Sequence, residues 1–216
     1  MKVVGIDEAG KGPVIGPMCI AGVSIDESRV YVLKNLGVVD SKRLSPKKRR
    51  QFASQIKKYA DDHFVFEVSP LQIDELRNIM SMNDIMVIGF TRVLEELTPD
   101  RAFVDAADIN AKRFGKRLLS EYSKKYPEHS LEIVSEHKAD DKYSVVSAAS
   151  ILAKVRRDEL IEELKKEEGV DFGSGYPSDP KTKDFLAKWV KEHDHFPDFV
   201  RHSWKTAINA LKAAEE

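Results

Sequence analysis

A chain of 216 residues is long enough to bury one substantial core with a small appended lobe. With 35 Lys and Arg against 36 Asp and Glu, the formal net charge of -1 rules out a globally basic nucleic-acid binder, so any polyanion must be met by a local patch. The single cysteine, Cys19, excludes an internal disulfide and a cysteine-rich zinc site and fits a reducing cytoplasm; no apolar run approaches the roughly 20 residues of a membrane span, and no signal peptide is expected.

Residues 2–6, "KVVGI", form a β-branched run that ends at Asp7, and "PMCIAGVSI" at 17–25 reads as a second strand after a Gly/Pro turn, which predicts a hairpin. Ser45 before Pro46 is an N-cap followed by N1, and Phe52, Ile56 and Tyr59 fall at helical spacing. "HFVFEVS" at 63–69 alternates as a strand, and 73–97 carries helical periodicity interrupted near 81–84, so two helices or one broken helix are expected. A short strand "RAFVD", a basic helix from about Asn110 to Lys125, the strand "LEIVSEH" and a long helix from about Tyr143 to Glu168 follow. "GVDFGSGYPSDP" breaks that helix, and Lys181 to His193 and a stretch around Phe199 to Leu211 read as helical. This order is an α/β plan with a mixed sheet.

"GIDEAGKGP", residues 5–13, comes within one residue of a phosphate loop: Gly5, Gly10 and Lys11 are in place, and Gly12 stands where a magnesium-binding Ser or Thr is needed. Asp7 and Glu8 would also place two carboxylates where a polyphosphate must approach, a costly repulsion. Two readings then stand open: a glycine turn with two solvated acids, or part of a metal site. The stronger signal comes from collecting the acids that end apolar runs, although each by itself is unremarkable, because an acid at a strand end is commonly a turn former or cap. Asp7 and Glu8 follow "VVGI", Asp105 ends "AFVD", and Asp140 comes shortly after "EIVSEH". Carboxyl ends of strands are the natural place for a site in an α/β sheet. If the four converge, oxygen-only ligands select Mg2+ or Mn2+, and two such ions about 3.5–4 Å apart can activate water and stabilise the leaving oxygen of a phosphodiester. Adjacent residues on a strand point to opposite faces, so either the strand twists or bulges at Asp7 or one of Asp7 and Glu8 binds through a different route.

Taken together, "GIDEAGKGPVIGP", "DSKRLS" at 40–45, "VDAAD" at 104–108, "KADDKYSVVSAASILAKVRRD" at 138–158 and "GSGYPSDP" at 173–180 resemble the type 2 ribonucleases H, most closely their archaeal branch. The resemblance implies a ribonuclease H-like fold, here a mixed five-stranded sheet flanked by helices, with a catalytic domain over 1–168 and a C-terminal helical extension over 169–216. It implies hydrolysis of RNA paired with DNA, and of single ribonucleotides embedded in duplex DNA, cut on their 5′ side to leave a 3′-hydroxyl and a 5′-phosphate. The family's four acids fall on Asp7, Glu8, Asp105 and Asp140, its glycine-basic-glycine motif on Gly10, Lys11 and Gly12, and its junction-sensing tyrosine on Tyr176. Lys11 stands where the commoner form has Arg. Lys is typical of type 3, but those enzymes carry an additional N-terminal domain and this sequence starts at the first catalytic strand, which favours type 2.

Glycines allow close backbone approach, and the 2′-hydroxyl distinguishes RNA from DNA, so the turn is expected to read a ribose. Lys42, inside the matched "DSKRLS", is the candidate phosphate contact of a basic cluster that is otherwise a solvated face. Ser147, Ser150, Lys154 and Asp158 are expected as a polar stripe on the long helix, the first three as contacts to the nucleic-acid backbone. His193 and His195 read as structural or solvent-facing, and Met80, Met82 and Met86 as core filling. Some members of the family dock to a sliding clamp through a C-terminal peptide, but "WKTAINALKAAEE" has no paired-aromatic version of it. A monomer in the cytoplasm is expected. The alternatives are a DNA-specific nuclease of the same fold, a non-cleaving nucleic-acid binder and a nucleotide hydrolase.

Overall fold

The computed structural model describes residues 1–38 and 44–215. Its sheet has five strands in the order β3-β2-β1-β4-β5, with β1 at Lys2–Ala9, β2 at Met18–Asp26, β3 at Asp62–Val68, β4 at Arg101–Asp105 and β5 at Glu132–Glu136. β1 and β2 form the expected antiparallel pair, in unbroken register from Lys2↔Asp26 to Ala9↔Cys19. β1 runs parallel to β4, and β4 parallel to β5, so the sheet is mixed. Central β1 is buried on both faces and its sequence therefore shows a continuous apolar run without alternation.

β1 extends beyond the limit its apolar run predicts. Main-chain pairing with β2 continues through Glu8 and Ala9, because the ladder is made by peptide groups whatever the polarity of the side chains. The strand stops where Gly10 takes a positive φ of 86°.

A single 3-10 turn at Glu27–Arg29 leads into α1 (Val30–Asn35), and neither was read from the sequence. In α2 (Pro46–Tyr59) the Ser45 side chain accepts from the Lys48 amide, as its N-cap position requires. The interrupted periodicity after residue 70 resolves into α3 (Pro70–Arg77), opened by a Ser69/Gln72 capping box, and α4 (Met82–Leu97). Then come α5 (Ala111–Lys125), capped by Asn110, the four-residue α6 (Ala139–Lys142), α7 (Ser144–Glu168), α8 (Pro180–Glu192) and α9 (Lys205–Glu215). The last helix begins later than the expected Phe199, because Phe199 and Val200 are core residues and Val200 pairs with Ile15 in an isolated β-bridge. No helix among the described residues is long and apolar enough to cross a membrane.

The chain makes two compact units. The first comprises Met1–Ala9, Cys19–Phe66 and Met82–Arg156. There, the odd-numbered residues Val3, Ala21, Val23 and Ile25 of β1 and β2 share one apolar cluster with Val145, Ala149 and Leu152 of α7. The α7 backbone at Val145 lies so close to Gly5 that any β-carbon there would overlap its carbonyl group. On the opposite face Gly22 lies against Val93 and Leu97 of α4, and the Phe90 and Phe114 rings meet edge to face at 5.1 Å, joining α4 to α5.

The second unit comprises Gly10–Met18, Glu67–Ser81 and Arg157–Glu216. Its core gathers Val14, Ile15, Ile161, Phe172, Leu186, Phe196, Phe199, Val200 and Ala207. Aromatic packing dominates it: the Phe172 and Phe199 rings stack at 5.7 Å, and Phe185 contacts both of them and Trp189.

Candidate active site

All four strand-end acids belong to the first unit. Asp7 sits on the odd-numbered face of β1, the face covered by α7, where Ser150 hydrogen-bonds its carboxyl group. Its Oδ1 also accepts from the Glu8 amide at 2.7 Å, so the side chain folds back on its own strand. The register gives no bulge at Asp7 or Glu8, and pleating therefore turns the Glu8 side chain to the other face. β1 and β4 run in parallel register through Ile6↔Val104, which brings Asp105 beside Asp7 one residue further along. Asp105 Oδ1 accepts from the Ala139 amide at 3.1 Å, fastening the start of α6 to the end of β4. Asp140, the next residue, is buried in the first turn of α6. Lys138 makes this corner possible by taking a left-handed conformation, φ 56°, between β5 and α6.

Asp7 is only 5% exposed, and its carboxyl group is pushed well above the usual carboxylate range, first by burial, then by the charge of Glu8, with a further contribution from Asp105. The Ser150 and Glu8 hydrogen bonds oppose that rise without cancelling it. Among the described residues, no three His, Cys, Asp or Glu side chains are drawn together closely enough to form a ready cation cage. The donor set nevertheless fits a hard divalent cation: the groups are carboxylate oxygens, and buried negative charge of this kind is what such an ion neutralises. Asp108, in the same segment, is fully explained without a ligand. Arg113 pairs with it at 2.6 Å and holds its carboxyl below the usual range, with help from the Asn110 amide.

The glycine turn and the tyrosine loop both lie in the second unit. Gly10 is buried at φ 86°, and a β-carbon there would stand 2.7 Å from the Pro17 carbonyl oxygen and 3.2 Å from Arg157 Cδ. Lys11 is half-buried and Gly12 is exposed, with open space around it. The Arg157 guanidinium in turn lies 4.9 Å over the ring of Tyr176 and donates to the Ser174 carbonyl at 2.7 Å. Arg157 is thus the physical link between the turn and the tyrosine, and no sequence signal marks it. Tyr176 itself is 40% exposed, on a loop shaped by positive-φ Gly173 and Gly175 and tied down by buried Thr182, which accepts from the Gly175 amide and donates to the Phe172 carbonyl.

The remaining expected contacts are placed differently. Lys42 lies outside the described residues. The polar stripe expected on α7 turns inward at its start: Ser147 and Ser150 are fully buried, Ser147 bonding the Val38 carbonyl and Ser150 the Asp7 carboxyl. Apolar packing on both sides of α7 leaves no outer face there. Lys154 and Asp158, further along, are half-buried. His193 stacks on Trp189 at 4.2 Å, and Met86 is a core residue while Met80 and Met82 are half-buried.

A hairpin extended by parallel strands, with acids at the strand ends and helices on both faces, defines the ribonuclease H-like class of fold. The family model of ribonuclease HII matches residues 4–207. A ribonuclease HII of Methanococcoides burtonii is 67% identical over 208 residues, 96% of this chain and 98% of that protein. The crystal structure of ribonuclease H2 from Pyrococcus horikoshii OT3 superposes with a TM-score of 0.91 at 43% identity over the whole of both chains. In the PCNA:RNase HII complex from Archaeoglobus fulgidus the matching chain gives a TM-score of 0.84 at 42% identity, over 95% of this chain and 96% of that one. The chain belongs to the ribonuclease HII family, in its archaeal form. It is a metal-dependent ribonuclease H, an endonuclease for RNA/DNA hybrids.

Proposed function

We propose that the enzyme also cuts single ribonucleotides embedded in duplex DNA, on their 5′ side, leaving a 3′-hydroxyl and a 5′-phosphate, and so serves ribonucleotide removal and RNA primer processing. The observation that supports the reading is Asp7, buried at the end of β1 in the field of Glu8 and Asp105, with Asp105 bonded to the amide of the residue before Asp140. Asp7, Asp105 and Asp140 would hold Mg2+ or Mn2+ through their carboxylates, and Glu8, whose side chain turns to the other face of β1, would join them by a different route. When bound, a pair of such ions supplies an activated water and charge stabilisation for the leaving oxygen. The chain's own part is positional. Ser150 and the Glu8 amide fix the Asp7 carboxyl, and the Ala139 amide fixes that of Asp105.

Specificity is assigned to the second unit. The Gly10-Lys11-Gly12 turn presents backbone groups to the ribose, where a 2′-hydroxyl separates RNA from DNA, and Tyr176 packs against the next sugar at the RNA-to-DNA junction. A half-exposed ring already braced by Arg157 supports that role. Lys42 and Lys154 are proposed to meet backbone phosphates. Ser147 and Ser150, proposed from the sequence as substrate contacts, have their hydroxyls turned to Val38 and Asp7, so their support for the substrate would be indirect. The enzyme is proposed to act as a cytoplasmic monomer. Clamp binding belongs to the Archaeoglobus fulgidus relative, and α9 of this chain carries no paired aromatics to support it here.

The test is cleavage of three end-labelled duplexes, one with a single ribonucleotide, one RNA/DNA hybrid and one all-DNA, each with Mg2+, Mn2+ or EDTA. A metal-dependent cut 5′ to the lone ribonucleotide, absent from all-DNA, is expected. Cleavage of all-DNA would favour a DNA nuclease, and binding without cleavage a non-enzymatic binder.

A further inference from the structure

The turn that precedes β2 is held from behind by one buried cation. Arg201 is completely buried, and its guanidinium donates to the carbonyls of Gly10 at 2.5 Å, Lys11 at 3.0 Å and Gly16 at 2.9 and 3.1 Å. Trp204 covers the guanidinium at 4.8 Å and donates its indole N–H to the Gly12 carbonyl at 3.1 Å. Arg201 is itself anchored, its amide donating to the Val14 carbonyl at 2.8 Å. Four carbonyls of one turn therefore converge on two side chains that the sequence brings together only from the far end of the chain.

In a trans peptide the C=O and the following N–H point in opposite directions within one plane. Fixing the Gly10 and Lys11 carbonyls toward Arg201 consequently fixes the Lys11 and Gly12 N–H groups on the side away from it. The other two carbonyls belong to Gly12 and Gly16, each followed by a proline, Pro13 and Pro17, so those peptides carry no N–H at all. Of the turn's later amides, those of Val14 and Ile15 donate to the Gly175 carbonyl and that of Gly16 to the Phe199 carbonyl, so the Lys11 and Gly12 amides are the ones whose direction Arg201 sets. Only an arginine suits the task, because a planar guanidinium offers five donors in a fixed fork, whereas a lysine offers three on a flexible stem.

We propose that Arg201 and Trp204 are positioning residues for substrate selection: they orient the Lys11 and Gly12 amides so that these read the ribose oxygen. The inference rests on the reading of the Gly10-Lys11-Gly12 turn as the ribose-recognition element. It assigns no contact with substrate to Arg201 or Trp204 themselves.

The test uses the full-length protein, wild type, Arg201→Lys and Trp204→Phe. Trp204→Phe keeps a ring over the guanidinium and removes only the bond to Gly12. Three quantities are read: single-turnover cleavage of the lone-ribonucleotide duplex, the ratio of its affinity to that of the all-DNA duplex in EDTA, and the amide resonances of Lys11 and Gly12. Arg201→Lys should slow cleavage by about 100-fold, the scale of a misplacement of roughly 1 Å. Trp204→Phe should slow it by about 10-fold, the scale of one hydrogen bond. In both, affinity for all-DNA should hold while the ratio falls toward one, and the two resonances should move. A merely structural role would lower the melting temperature and leave the ratio as in wild type. Wild-type ratios and unshifted resonances in folded variants would overturn the proposal. A wild-type enzyme that neither cuts nor prefers the ribonucleotide would overturn the recognition reading instead, and the amide resonances would still decide whether Arg201 sets the turn.

Discussion

Gly10→Ala and Gly12→Ala, two residues apart in one motif, should fail in different ways. At Gly10 the backbone has φ 86°, and a β-carbon would stand 2.7 Å from the Pro17 carbonyl oxygen. A left-handed conformation costs an L-residue about 1–2 kcal/mol, and forcing an added carbon against a main-chain oxygen adds about 1–3 kcal/mol. The sum, about 2–5 kcal/mol, lowers the melting temperature by roughly 4–20 °C at 2–4 °C per kcal/mol for a chain of this size. The same carbon would sit 3.2 Å from Arg157 Cδ and 3.3 Å from its Nε, displacing the guanidinium from the Tyr176 ring. At Gly12 nothing lies within 4 Å of the added carbon, so stability should change by no more than about 0.5 kcal/mol. Thermal melts followed by cleavage of the lone-ribonucleotide duplex, well below each melting point, separate the two effects. Gly10→Ala should be both destabilised and slow, and Gly12→Ala fully folded and slow because the substrate backbone can no longer approach. Equal melting temperatures for the two variants would mean that the Gly10 backbone accepts a β-carbon as easily as Gly12 does.

Asp7→Asn should abolish cleavage yet raise the melting temperature measured in EDTA, by the equivalent of about 0.5–2 kcal/mol, because it removes a buried charge repelled by Glu8 and Asp105; a lowered melting temperature would contradict that electrostatic account. Thr182→Val, nearly the same shape, strands the Gly175 N–H and the Phe172 carbonyl in a buried site, a loss of about 1–3 kcal/mol per group that urea unfolding would measure. Asp171 is held down to about 2, first by Lys181 and then by the Gly173 amide. A depressed carboxyl contributes stability that is present above the ordinary value near 3.8 and is lost as pH falls toward 2. Asp171→Asn should therefore flatten the melting curve against pH between about 4 and 2 and leave its slope above pH 5 unchanged.

The sheet was legible in the sequence wherever side chains report on backbone state. β-branched runs marked the strands, Ser45 with Pro46 marked the start of α2, and the glycine-rich segment after Glu168 marked the end of α7. Lengths set by main-chain pairing were not legible, and β1 accordingly outran its apolar run to include Asp7, Glu8 and Ala9. Short elements such as α1 and α6 span too few residues to show a period. The four acids could be collected by their place after apolar runs. The inward turn of Ser147 and Ser150 could not, because a helix covered on several sides has no polar face to match a helical wheel. Arg157, Arg201 and Trp204 escaped for another reason. An arginine on a helix or in a loop, or a tryptophan before a helix, carries no mark of its partners, and only folding shows that these are carbonyls up to 192 positions away.

In the proposed function, Asp7, Glu8, Asp105 and Asp140 act together on the scissile phosphodiester. The most direct measurement is single-turnover cleavage of the lone-ribonucleotide duplex over a Mg2+ titration, by wild type and by Asp7→Asn, Glu8→Gln, Asp105→Asn and Asp140→Asn, each confirmed folded by its melting curve. Every variant should lose at least about 100-fold in rate, on the order of 3 kcal/mol of barrier, and excess EDTA should silence the wild type. Near wild-type cleavage by any of the four folded variants, or activity that survives EDTA, would contradict the account.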